Sequence, residues 1–88
     1  MPEATSLRNV DAAFGRVLRA IRTEQGLSQE ELGLATGHGP TFVSQLERGK
    51  RGASLKTLFS LASYLGVAPS AFVAQMEREL RSVSSGRR

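Results

Sequence analysis

The sequence predicts an all-α domain of five helices, on three observations. Apolar residues recur at three- and four-residue spacing along most of the chain, the period of a helix with one buried face. Glycine, serine and proline stand at the joints, where helices stop and start. No stretch alternates apolar and polar residues with the period of two that a half-buried strand requires. At 88 residues the chain can fill one modest core but not two, and its 40% hydrophobic content is that of a globular chain. There is no cysteine, so neither a disulfide nor a thiolate metal site can staple the fold. Stability has to come from helix packing, with a second subunit as a further source.

The first helix is expected from a cap at Asp11 to Gln25, with Phe14, Val17, Leu18 and Ile21 on its buried face and Gly26 ending it in a left-handed conformation. Ser28 followed three residues later by Glu31 is a capping box, and it opens a short second helix from Gln29 to Thr36 that Gly37 stops. Gly39–Pro40 starts a third helix, since proline at the first helical position lacks only an N–H that would go unpaired anyway. That helix ends before Gly49. Ser54 caps a fourth, whose Leu55, Leu58, Leu61, Ala62 and Leu65 make the strongest apolar stripe in the chain, closed by Gly66. Pro69 opens a fifth, with Phe72, Val73, Met76 and Leu80 on one face. The implied organisation is a flexible N-terminal arm over 1–9, a helical domain over 10–80 and a flexible basic tail over 81–88.

The link between the second and third helices is only about four residues, which forces a large crossing angle, as in a helix-turn-helix. A side chain at the crossing point would hold the axes apart. Gly33 sits there, although glycine within a helix costs roughly 1 kcal/mol against alanine. On the third helix Val43 and Leu46 face inward, while Thr41, Ser44, Gln45 and Arg48 share the other side. Threonine brings a hydroxyl and a methyl, and Gln45 can pair bidentately with adenine in a major groove. Arg48, Lys50, Arg51 and Lys56 follow as a run of bases with no acid among them, placed for phosphate contact. The whole chain carries twelve Lys and Arg against eight Asp and Glu, a formal charge of +4, which favours a polyanionic partner.

Together "GLSQEEL", "VSQLERG" and "LASYLGVAPSAF" resemble the Cro/cI-type helix-turn-helix domain of the XRE family of transcriptional regulators, over about Phe14 to Phe72. The stretch "TFVSQLERGKRGASLKTL" is also similar to restriction–modification controller proteins, and the domain as a whole to phage repressors. The resemblance implies a compact, lambda-repressor-like five-helix fold. It implies a sequence-specific regulator of double-stranded DNA, homodimeric on a near-palindromic operator. It places Thr41, Ser44 and Gln45 at base-reading positions, and Gln29 and Phe42 against the DNA backbone beside Arg48, Lys50 and Arg51. It further implies an ion pair between Arg22 and Glu47. One departure is Pro40, which stands where relatives often carry a long polar or basic reader. Proline cannot donate, so specificity should rest on Thr41, Gln45 and DNA shape.

Other functions are disfavoured. No serine has an activating motif, no glycine pattern follows a strand to cradle phosphate, and catalysis is not expected. His38, the only histidine, has no partner at metal-ligand spacing and reads as a solvated loop residue, so no metal and no cofactor is expected. Phe42 is open between DNA contact and packing. The apolar face of the fifth helix is open between two roles: Phe72, Val73 and Met76 can finish the monomer core, or Phe72, Met76 and Leu80, with Val83 beyond them, can contribute to a dimer interface. No apolar run approaches the roughly 20 residues of a membrane span, and no signal peptide opens the chain, so the expected place of action is the cytoplasm, at the nucleoid. The alternative function is an antitoxin-type module that neutralises a partner toxin and autoregulates its operon.

Overall fold

The computed structural model describes residues 7–86, with side chains over 9–81. Five helices follow in order: α1 (Leu7–Glu24), α2 (Gln29–Thr36), α3 (Pro40–Glu47), α4 (Leu55–Leu65) and α5 (Pro69–Gly86). There is no strand among the described residues. The joints are as the local chemistry demands. Ser28 Oγ accepts from the Glu31 N–H at 2.9 Å, and Glu31 Oε1 accepts from the Ser28 N–H at 2.8 Å. Ser54 Oγ caps α4 by accepting from the Thr57 N–H at 3.0 Å. Gly37 and Gly66 end α2 and α4 at φ of 79° and 72°, a left-handed conformation that side chains resist.

Two boundaries differ from the sequence reading. Helix α1 starts at Leu7, so Asp11 lies inside it rather than capping it. The reason is Val10, which extends the apolar spacing of Phe14 and Val17 backwards and lines a groove with Phe14 and Met76. Helix α5 runs on to Gly86, so the part of the chain read as a flexible tail is helical over 81–86. The remainder of the arm, 1–6, and of the tail, 87–88, lies outside the described residues, as does the side chain of Val83.

The core draws on every helix. Phe14, Val17, Leu18 and Ile21 of α1 meet Leu32 of α2, Val43 and Leu46 of α3, and Leu58, Leu61 and Leu65 of α4. Each such side chain contributes about 1.5–3 kcal/mol when fully buried. Phe72 of α5 is fully buried, its ring 5.0 Å from that of Phe14. Phe72 is therefore a core residue, which corrects its assignment to a dimer surface: a side chain with no exposed area cannot meet a second subunit. Gln25, just past the end of α1, donates to the Leu65 carbonyl at 2.7 Å and so ties α1 to the end of α4.

Candidate nucleic-acid interface

Helix α3 is set by backbone contact before any side chain is considered. A Cβ on Gly33 would fall on the carbonyl of Gly39, and one on Gly15 would fall on the carbonyl oxygens of Leu46 and Glu47. The two glycines let α2 approach the start of α3 and α1 approach its end. The crossing role of Gly33 was legible from its place in the helix-turn-helix. That of Gly15 was not, because nothing in the local spacing distinguishes it from any other glycine on a helix.

A buried polar network then holds the end of α3. Arg22 Nε and Nη2 donate to the Glu47 carboxylate at 2.6 and 2.9 Å, and Arg22 Nη1 donates to the Leu27 carbonyl at 2.7 Å. The Gln29 amide nitrogen donates to Glu47 Oε1 at 2.9 Å. The Glu47 side chain retains 2% of its exposure, so the pair is desolvated and every partner matters. Hydrogen bonding to Glu47 raises the Arg22 pKa above the usual arginine value; burial opposes this and the charge of Glu47 adds to it. Gln29 thus spends one donor on the ion pair. A primary amide has two N–H groups, which leaves one for a phosphate.

With Val43 and Leu46 fully buried, α3 presents its other side outward. Thr41 is exposed, and Ser44 and Gln45 are half-buried on the same helix. Arg48, Lys50 and Arg51 follow, all exposed. Of the two roles that the sequence left open for Phe42, the structure shows the packing one. Its ring packs against the core, yet it remains half-exposed, stacked on His38 at a centroid distance of 4.4 Å. The Arg51 guanidinium lies over the same ring at 4.7 Å and donates to Gln45 Oε1 at 3.0 Å. Sequence reasoning placed these residues near DNA but did not join them, and it left His38 without a neighbour. Arg16, a further cation on α1, is paired with Glu79 at 2.9 Å.

Of the remaining predicted interface residues, Met76 packs against the core and Leu80 is half-buried. Of the exposed large apolar residues, Leu34 and Tyr64 stand apart, while Leu55, Phe59 and Val73, 71%, 54% and 40% exposed, line one groove of about 370 Å³ between α4 and α5. No group of three or more potential metal ligands exists among the described residues. No single described helix is long and apolar enough to cross a membrane.

Comparison with known proteins places these features in a family. The helix-turn-helix family matches residues 18–72, from Leu18 in the second half of α1 to Phe72 of α5. An uncharacterized HTH-type transcriptional regulator, y4dJ, of Sinorhizobium fredii is 44% identical over 48 residues, 54% of this chain. The chain spans 62% of that relative's length. The control protein C.BamHI of Bacillus amyloliquefaciens is 36% identical over 62 residues, covering 69% of this chain and 76% of its own. Among solved structures, the restriction–modification controller protein C.Esp1396I, a tetramer in complex with its natural 35 base-pair operator, superposes with a TM-score of 0.74. It is 26% identical, over 86% of this chain and 97% of that one.

Proposed function

The chain belongs to the helix-turn-helix family of DNA-binding transcriptional regulators, which are not enzymes, and from that premise we propose that it is a sequence-specific regulator acting as a homodimer on a near-palindromic operator. Helix α3 enters the major groove. Thr41, Ser44 and Gln45 read base edges, while Gln29, Phe42, Arg48, Lys50 and Arg51 set register on the phosphates. One observation carries this reading: Val43 and Leu46 are fully buried, locking α3 in place, while its polar residues and the following bases are left facing outward. The operator complex of the related controller protein C.Esp1396I supports double-stranded DNA as the partner. The cytoplasm, at the nucleoid, is the place of action on this reading.

The dimer surface is best assigned to Leu55, Phe59 and Val73, the exposed apolar residues that line the groove between α4 and α5. The relatives named above are one transcriptional regulator and two control proteins, which leaves the toxin-neutralising alternative without support. Selection of bound duplexes from a random library at near-physiological salt tests the proposal. The expected product is a two-fold symmetric motif with half-sites about 34 Å apart, and Gln45→Ala should relax it at one position per half-site. Absence of any enriched motif would overturn the regulator reading, and a monomer by sedimentation at micromolar concentration would remove the dimer from it.

A further inference from the structure

We infer that Arg51 is a positioning residue for Gln45, and that by holding the Gln45 carbonyl oxygen it makes this side chain a donor that selects guanine rather than adenine. The inference rests on the regulator reading above and concerns which base that reader prefers. A glutamine amide is a donor at one end and an acceptor at the other, and free in a major groove it matches adenine, which offers N7 as acceptor and N6–H as donor. In this chain the amide is not free. Arg51 Nη1 donates to Gln45 Oε1 at 3.0 Å, and a guanidinium has donors only, so it settles which end of the amide faces it. The oxygen keeps a second lone pair, but with that end turned to Arg51 the NH2 end is the one offered to a base. Guanine presents two acceptors, N7 and O6, to that group, whereas adenine would set its own N6–H donors against it.

Arg51 is itself held. Its guanidinium lies 4.7 Å from the centroid of the Phe42 ring, and that ring is fixed by the core below it and by His38 stacked at 4.4 Å. The chain of contact therefore runs from the core through Phe42 and Arg51 to the tip of Gln45. The remaining N–H groups of the Arg51 fork stay available to a phosphate, so positioning and backbone contact do not compete.

Random-library selection with the full chain and with Arg51→Leu separates the possibilities, because Arg51 is exposed and its replacement leaves the core untouched. The wild type should enrich guanine at the position that Gln45→Ala relaxes. In Arg51→Leu the guanine-to-adenine ratio there should fall about tenfold, with the other positions of the motif unchanged. Phe42→Leu, which removes the ring under Arg51, should move the ratio in the same direction by less. If Arg51→Leu lowers affinity for all sequences equally and leaves the base preference as it was, Arg51 is a phosphate contact alone and the inference fails. Adenine enriched at that position by the wild type would also overturn it, while the regulator reading would survive. A wild type that enriches no motif overturns the regulator reading itself, and this inference with it.

Discussion

Two networks join an arginine to the third helix, and they differ in burial and in the charge of the group that accepts: a buried carboxylate in one, an exposed neutral amide in the other. Arg22 reaches Glu47 at the inner end of α3, where the carboxylate is almost fully desolvated and also accepts from Gln29. Arg51 reaches Gln45 on the outer side, in solvent, above Phe42. In the first, each charge removed from water depends on its partner, so loss of one member is costly. In the second, water replaces whatever is lost, and the contact is worth little to stability. The inner network sets where the helix lies, and the outer one sets what its tip presents. Within one helix of eight residues, the buried ion pair and the outward-facing contact thus fall on different side chains.

The sharpest way to break this contrast is at its buried end. Glu47→Ala leaves Arg22 buried without a counter-charge and should cost about 3–5 kcal/mol in urea denaturation. Arg51→Ala should stay within about 1 kcal/mol of the wild type in the same assay. The double variant Arg22→Met with Glu47→Leu sharpens the point: it should recover most of the loss, because what is costly is the unpaired charge rather than the missing pair. A similar cost for Glu47→Ala and Arg51→Ala would show that burial is not what separates the two networks.

A smaller effect is expected where α3 is positioned by backbone alone. Gly33→Ala should destabilise by about 1–3 kcal/mol, read as a lowered thermal midpoint, because its Cβ meets the Gly39 carbonyl rather than a side chain that can move aside. An alanine that is tolerated or stabilising there would mean that α2 and α3 separate freely.

The smallest effect expected is that of pH on the inner pair. The Arg22 pKa is raised on folding, so the folded chain holds this proton more tightly than the unfolded one. The stabilisation is fully present below the unfolded arginine value and is lost only as pH rises through the folded value, far above neutrality. Stability contributed by Arg22 should therefore be flat across the neutral range in denaturation at several pH values. A slope there that Arg22→Met abolishes would contradict the assignment.

What could be read from the sequence and what could not divides along a physical line. Ser28 with Glu31, Gly37, Gly39–Pro40, Ser54 and Gly66 were legible because a cap is made within four residues of its own helix end. The apolar stripes, and hence the inward side of α3, were legible because 3.6-residue periodicity is a property of one helix. The start of α1 was misjudged because Asp11 is as good a cap as the residues before it, and only the packing of Val10 beside Phe14 and Met76 decides between them. Phe72 was misassigned for a related reason: a stripe on α5 does not say how much of it faces the core and how much is left over.

The sequence by itself determined the helices, their order and the polar character of the surface that α3 turns outward, since propensity, capping and periodicity act over a few residues. Only the tertiary structure decided that Gly15 must stay small, that Gln25 closes α4, that Phe59 rather than Phe72 is exposed, and that Arg51 takes hold of Gln45. Each of those depends on the distance between residues on different elements, and that distance is settled by how the helices share one core.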